Sequence, residues 1–265
     1  MSLSFTDQMQ RTITLERPPV RIVSLVPSQT ELLHDLGLEN EVVGITKFCV
    51  HPESWFRSKA RVGGTKQLHF EKIAALQPDL IIGNKEENEQ QQIETLMQEF
   101  PVWMSNIHDL SEAMTMIRAI GTLTSREEKA NAIAAAIESR FQQLEQEIQT
   151  QPMRSAAYFI WKNPWMTAGH RTFIDHLLER CRLRNVFEKE ESRYPEVTLE
   201  QLRDASPEVV LLSSEPYPFK EKHITEIQEV LPHAAIRTVD GELFSWYGSR
   251  LLEAPAYFNK LLRSL

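Results

Sequence analysis

The chain reads as an α/β protein of two lobes, each with a mainly parallel sheet flanked by helices, joined by one long rigid helix. Three observations predict this. Strand-like and helix-like stretches alternate before residue 125, and the alternation restarts after residue 150. Between them lies Ser125–Gln149, SREEKANAIAAAIESRFQQLEQEIQ, with no Gly or Pro before Pro152. Finally, FEKIAALQPDLII at Phe70–Ile82 is echoed by LEQLRDASPEVVL at Leu199–Leu211. The expected organisation is therefore residues 1–124 as one lobe, 125–150 as the connecting helix and 151–265 as the second lobe.

Taken in order, Phe5–Leu15 alternates weakly and predicts an edge hairpin, ended by Pro18 and Pro19. Val20–Val26 is a short β-branched run, as expected of a strand buried on both faces. Ser28 with Glu31 forms a capping-box pattern opening a helix Gln29–Leu36, which Gly37 stops. Glu41–Thr46 predicts a strand, Phe70–Leu76 a helix and Asp79–Gly83 a strand. Glu89–Glu99 follows as a helix and Pro101–Met104 as a strand; Asp109 with Glu112 caps Ser111–Leu123. In the central stretch Ala130, Ile133, Ala134, Ile137, Phe141, Leu144 and Ile148 recur at spacings of three and four, the period of one helix face. Ser125 with Glu128 reads as its capping box. At 1.5 Å per residue this stretch spans almost ~40 Å. Beyond it come a strand Ala156–Trp161, a helix Thr172–Arg180, a short strand Arg184–Phe187 and a helix Leu199–Ala205. A strand Val209–Ser213, a helix His223–Val230, a strand Ile236–Val239 and a helix Ser249–Leu262 complete the pattern. Four strands are expected in each half.

Composition excludes some classes of function. The 265 residues are enough for two lobes, and a net charge of −8 with no basic stretch argues against nucleic acid as a partner. No apolar run approaches the length needed to cross a bilayer, so no membrane insertion is expected. The first residues, MSLSFTDQMQRTITL, show neither a basic n-region nor an apolar h-region, so no signal peptide is visible and a cytoplasmic location stays open. The two cysteines, Cys49 and Cys181, fall on opposite sides of the central helix and read as free thiols.

The internal echo runs at one constant offset without a gap. Glu71 meets Glu200, Ile73 meets Leu202, Pro78 meets Pro207 and Asp79 meets Glu208. A helix, a Pro and a buried strand account for part of this match wherever they occur in sequence. The paired glutamates in the first helical turn are what that explanation covers least.

RIVSLVPSQTELLHDLGL, then VVGIT, then VGGTKQLHFEKIAALQPDLIIG, with a second Glu-bearing helix before a SP-x-x-V strand and an SR near the C-terminus, resembles a known family. It is that of the substrate-binding proteins of ABC importers for iron–siderophores, haem and cobalamin, the helical-backbone metal receptors, with the cobalamin binders nearest. The resemblance covers nearly the whole chain. It implies two α/β lobes on one rigid helix, small lobe motions, and a chelated metal compound clamped in the interlobe cleft. It also implies a periplasmic or cell-surface location, a monomer, and an ABC permease dimer with its ATPase as partners. Glu71 and Glu200 match the exposed glutamates with which the family docks on permease arginines. Where cobalamin binders carry a Trp before the first of these glutamates, this chain has Thr65.

Ligands of parallel sheets sit beyond the carboxyl ends of the strands. The corresponding loops are Val26–Ser28, Lys47–His51, Asn84–Asn88, Trp161–His170, Arg193–Pro195, Ser214–Tyr217 and Gly241–Arg250. They are rich in aromatics: Phe48, Trp161, Trp165, Tyr194, Phe244, Trp246 and Tyr247 are the expected ligand-binding residues, with Tyr217 beside them. Flat rings suit a macrocycle or a catecholate. Cys49, His51, His69 and His170 match no dedicated metal motif, so the metal is expected to arrive already chelated, with no intrinsic cofactor and no metal ligated by the chain. Arg250 is expected to hold structure, and Lys85–Gln92 to be a solvated helix start. No G-x-G-x-x-G, P-loop or G-x-S-x-G is present, and no enzyme activity is expected. Two other readings stay open: a leaderless cytoplasmic enzyme acting on a metal–tetrapyrrole, such as a chelatase, and a cytoplasmic carrier or sensor.

Overall fold

The computed structural model describes residues 3–265. The chain forms two compact units. One holds the residues up to Ile107, Ser111–Ile137 and Tyr247–Arg250; the other holds His108–Leu110, Glu138–Trp246 and Leu251–Leu265.

The first unit opens with β1 (Leu3–Thr6) and β2 (Thr12–Leu15), an antiparallel pair with Leu3 opposite Leu15. The expected hairpin is present as its own two-stranded sheet. Asp7 fixes its turn: the buried carboxylate accepts from the Met9 and Arg11 backbone N–H groups, both at 2.8 Å, and pairs with the Arg11 guanidinium. The main sheet follows from β3 (Ile22–Ser24), β4 (Val42–Ile45), β5 (Ala60–Arg61), β6 (Leu80–Asn84) and β7 (Val102–Ser105), all parallel in the order β5-β4-β3-β6-β7. Its helices are α1 (Pro27–Asp35), α2 (Glu53–Ser58), α3 (Phe70–Ala75), α4 (Gln90–Leu96) and α5 (Leu110–Leu123). Val23, Leu25, Val62, Ile73, Ile81 and Met104 form its core.

The capping-box expectation at Ser28 is corrected. Pro27, not Gln29, starts α1, and Val26 is its N-cap with no side-chain bond. Pro suits that first position because its φ is already helical and its missing N–H would find no helical partner. Ser28 is thus two residues past the cap position, and buried.

The long helix is α6 (Glu127–Ile148), and its predicted stripe is right: Ala130, Ala134, Ile137 and Phe141 are fully buried. Its start differs from expectation. Ser125 has φ 54°, and the chain there closes the preceding helix: the Arg126 N–H donates to Gly121 O at 2.7 Å and the Ser125 N–H to Thr122 O at 3.3 Å. That pair of bonds is a left-handed C-terminal cap for α5. Ser125 therefore ends one helix, and α6 begins with the bond from the Ala130 N–H to Arg126 O.

The second unit repeats the plan. β8 (Arg154–Trp161), β10 (Leu183–Asn185), β11 (Val209–Ser213) and β12 (Ala235–Val239) run parallel in the order β10-β8-β11-β12, and β9 (Met166–Thr167) pairs antiparallel with β8. Its helices are α7 (Phe173–Arg180), α8 (Leu199–Ala205), α9 (Glu221–Val230), α10 (Gly241–Ser245) and α11 (Ala254–Arg263). Each main sheet has five strands where four were expected, because β5 and β9 are two residues long and too short to show a period. The expected helix Ser249–Leu262 is a 3-10 turn at Ser249–Leu252 followed by α11.

The echo between the halves reaches the backbone. Glu71 and Glu200 are each the second residue of their helix, α3 and α8. Ile73 and Leu202 are both fully buried. Gln77 and Ser206, at the same offset, both turn left-handed, with φ 46° and 44°. Asp79 then accepts the Arg21 N–H at 2.8 Å beside β3, as Glu208 accepts the Ser155 N–H at 2.8 Å in β8. Both acids clamp the start of the strand that neighbours their own.

Candidate functional site

In both sheets the strand order reverses at one place, between β3 and β6 in the first and between β8 and β11 in the second. A crevice opens beyond the carboxyl ends of the strands at such a point, and ligands of open α/β sheets bind there.

In the second unit this point carries a cluster of rings. Trp161, the last residue of β8, is 40% exposed and lies edge-on to Tyr217, with ring centroids 5.5 Å apart. Tyr217 leans on Phe219 at 4.8 Å, and Phe219 stacks on Trp165 at 5.8 Å. His223, buried at the start of α9, meets Tyr217, Phe219 and Trp165 edge-on. The Lys220 N–H donates to His223 Nδ1 at 2.8 Å, which puts the proton of the neutral ring on Nε2, toward the Tyr217 hydroxyl at 3.5 Å. Burial pushes the His223 pKa down, and Lys162, Lys222 and Lys220 push it further. Lys162 Nζ lies 4.5 Å over the Trp165 ring and pairs with Glu226.

Trp246 is buried, and its indole N–H donates to Glu215 Oε1 at 3.0 Å. Glu215 stands two residues before Tyr217, so the loop after β11 serves both rings. Tyr194 is half-buried, with the Arg193 guanidinium 5.7 Å over its ring. Its loop is tied to the β9 region by bonds from the Gly169 N–H to Arg193 O at 2.8 Å and from the Thr167 N–H to Pro195 O at 3.0 Å. Phe244 departs from expectation: it is fully buried, 5.1 Å from Tyr158 and 4.5 Å from Phe258, and belongs to the core of its unit. It sits inside α10, so its ring faces the helix packing and not the loop.

In the first unit Phe48 is 50% exposed beyond β4, with Lys47 Nζ 5.0 Å over its ring. In the same unit, Asn84 and Asn88 brace the loop after β6. Asn84 Oδ1 accepts the Glu86 and Glu87 N–H groups, and Asn88 Oδ1 accepts the Asn84 N–H at 2.8 Å. The Lys85–Gln92 run is thus a cross-braced loop, with α4 starting only at Gln90, and not simply a solvated helix start. Burial, and then Glu86, push the Glu87 carboxyl up against the opposing pull of Lys66.

Tyr247 is buried, and Gly248 packs so closely on α1 that a Cβ there would stand 2.4 Å from Ser28 O. Arg250 behaves as expected of a structural residue, making a two-point ion pair with Glu31. Burial holds the Glu31 pKa up in spite of that partner. Cys49 is buried between the Thr30 and Thr46 hydroxyls, each 3.1 Å from Sγ, and burial pushes its thiol pKa up. Among the described residues no three His, Cys, Asp or Glu side chains are placed to hold a metal ion.

Of the seven expected ligand residues, the structure brings Trp161 and Trp165 into one cluster. Trp246 is held by the loop that supplies Tyr217, and Phe48 and Tyr247 belong to the other unit. Phe219, His223 and Lys162 are additions. The signal for Phe219 and His223 is the run PYPFKEKH at Pro216–His223, whose rings alternate with Pro shortly after a buried strand, and Lys162 directly follows Trp161. Glu71 and Glu200 are exposed, and Glu200 is 3.4 Å from Arg203 on its own helix.

The family model described as periplasmic binding protein matches residues 22–238. The vitamin B12-binding protein of Vibrio campbellii is 27% identical over 197 residues, 74% of this chain and 71% of that protein. The crystal structure of the periplasmic vitamin B12 binding protein BtuF of Vibrio cholerae superposes with a TM-score of 0.81 at 22% identity, over 93% of this chain and 98% of that one. A periplasmic heme binding protein from Pseudomonas aeruginosa gives 0.79 at 22% identity, over 92% of each chain. At that identity the two structures speak for the fold.

Proposed function

The chain belongs to the periplasmic binding protein family, that of transport substrate-binding components, and on that premise we propose that it binds a chelated metal compound and delivers it to an ABC importer. The relatives' names bring iron chelates, haem and cobalamin forward as ligand types. The observation that carries the reading on this chain is the exposed Trp161 ring against Tyr217 at the reversal point of the second sheet. A flat ring face beside a second aromatic stacks well on a macrocycle. Phe48, Trp165, Tyr194, Trp246 and Tyr247 complete the proposed ligand-binding set. Family membership favours this transport reading over a chelatase-like enzyme or a free carrier.

We further assign Glu71 and Glu200 to permease docking, one per unit, with the permease and its ATPase as partners. The location that goes with this function is periplasmic or cell-surface, and among the described residues no helix is long and apolar enough to cross a membrane. The test is direct. Purified protein titrated with an iron–siderophore, haemin and a corrinoid should show tryptophan quenching that saturates at one equivalent with at least one of them. A flat response to all three sinks the reading.

A further inference from the structure

The stretch after β11 carries two rings of the candidate cluster and is fastened at its far end by an imidazole. Pro216–Phe219 supplies Tyr217, edge-on to Trp161 at 5.5 Å, and Phe219, stacked on Trp165 at 5.8 Å. Pro216 and Pro218 have no N–H to give, so few backbone bonds are open to this stretch. A reciprocal pair closes its end. The Lys220 N–H donates to His223 Nδ1 at 2.8 Å, and the His223 N–H donates to Lys220 O at 2.8 Å. His223 is the third residue of α9, and its imidazole takes the place that Glu or Gln usually holds in a capping box. The side chain is buried behind Tyr217, Phe219 and Trp165, at ring distances of 5.5, 5.4 and 6.5 Å.

A neutral imidazole accepts at one nitrogen, and an imidazolium at neither. A proton on Nδ1 would set a second N–H against the Lys220 N–H, and the bond between them would be lost. We infer that His223 is a positioning residue for ligand binding: its Nδ1 holds the Tyr217–Phe219 stretch against Trp161 and Trp165, and a proton on that nitrogen frees the stretch and weakens binding in acid. The inference rests on the proposed function and adds to it a pH-sensitive brace within one unit. The charged and titratable groups facing the imidazole come from three places. They are Lys220, whose N–H it accepts, with Lys222 and Glu226 on α9; Lys162, over the Trp165 ring; and the Tyr217 hydroxyl, 3.5 Å from Nε2. Imidazole is the side chain among these that ordinarily changes charge between about pH 5 and 8. Burial, and then Lys162, Lys222 and Lys220, keep it neutral to lower pH, with Glu226 opposing. The brace is therefore intact at neutral pH and is lost as pH falls through the folded-state pKa.

Three full chains separate the brace from the fold. They are the parent, His223→Gln, whose amide oxygen can accept the Lys220 N–H and takes up no proton, and His223→Phe, which keeps a ring and offers no acceptor. Each is titrated with haemin, cyanocobalamin and a ferric hydroxamate chelate at about pH 7.5 and about pH 5, followed by tryptophan fluorescence. For a chelate that binds, the parent should weaken about three- to tenfold from the higher pH to the lower, the span in which one imidazole titrates. His223→Gln should stay within about threefold of the parent at the higher pH and lose that decline. His223→Phe should be roughly fivefold weaker at the higher pH, as for one lost hydrogen bond, with a flat profile. Any acid response of the chelate itself is common to the three chains and cancels between them. Should His223→Phe fail to fold, the parent and Gln profiles decide alone. A Gln profile that declines like the parent's, or a parent affinity that does not change with pH, overturns the inference and leaves the transport reading standing. No binding of any of the three chelates by the parent overturns both.

Discussion

Trp161 and Phe244 are both large aromatics at or just beyond a strand end, and they have opposite fates. Trp161 ends β8 with its ring 40% exposed, while Phe244 is closed in by Tyr158 and Phe258. Trp161→Ala should therefore weaken ligand binding about tenfold or more, by loss of a stacking face worth roughly 1–3 kcal/mol, with the thermal midpoint little changed. Phe244→Ala should cost about 3–5 kcal/mol of stability in denaturant unfolding, the usual price of emptying a core aromatic site. If Phe244→Ala unfolds like the parent protein and only ligand affinity falls, the core assignment is wrong. The enrichment of rings near strand ends is visible in the sequence, because it is a matter of composition and position. Which rings face outward is not visible, since that depends on the short helix α10, and five residues show too little of a period to reveal their buried face. Trp246 is hidden for another reason: its partner Glu215 is thirty-one residues away in sequence, and no local pattern links them.

At the scale of elements, the parallel units were legible because buried strands and helix stripes repeat over many residues, and the end devices were not. Ser28 and Ser125 both offered capping-box spacing, yet Pro27 took the first helical position in one case and a left-handed cap of α5 took Ser125 in the other. Side-chain caps and backbone caps compete for the same few residues, and only the packed chain decides. The matched left-handed residues make one prediction. Ser206 pays a steric cost at φ 44° that Gly does not, so Ser206→Gly should raise stability by roughly 0.5–1 kcal/mol, and Gln77→Gly similarly. A fall in the thermal midpoint of both variants counts against this reading of the turns. The clamp at Glu208 makes another. The Ser155 N–H and then its hydroxyl hold the Glu208 pKa below the ordinary carboxylate value. A carboxylate whose folded pKa is depressed adds stability above its unfolded pKa and loses it as pH falls through the folded one. Glu208→Gln should be less stable than the parent at pH 7, and the gap should close on acidification below the ordinary carboxylate range. A gap independent of pH would mean that the neutral amide fails for steric reasons and not for lack of charge.

At the scale of the whole molecule, the internal echo bears on the docking role proposed for Glu71 and Glu200. In each unit the helix bearing the glutamate, α3 or α8, leads directly into a central strand, β6 or β11, and so runs back along its sheet. Its amino end, with Glu71 or Glu200 at the second position, lies toward the carboxyl ends of that sheet's strands, the side that carries the exposed rings of the same unit. Both carboxylates are exposed. A permease built of two equivalent subunits presents two equivalent surfaces, and a chain with one acidic anchor in each of two similar units can meet both. Carboxylate against arginine makes a charge-assisted, two-point bond, which speeds encounter and fixes orientation more than it adds affinity. The competing explanation is local: an acid near a helix N-terminus gains about 0.3–1 kcal/mol wherever it stands. The two differ in what a double variant does. On the local explanation, Glu71→Ala with Glu200→Ala lowers stability by up to about 2 kcal/mol and leaves transport intact. On the docking explanation, ligand titration is unchanged, stimulation of the importer's ATPase in proteoliposomes is abolished, and Glu71→Lys with Glu200→Lys is no better. Restoration of stimulation by reversing the matching permease arginines to glutamate, against the lysine variant, identifies the contact itself. Full stimulation by the alanine double variant removes Glu71 and Glu200 from the interface.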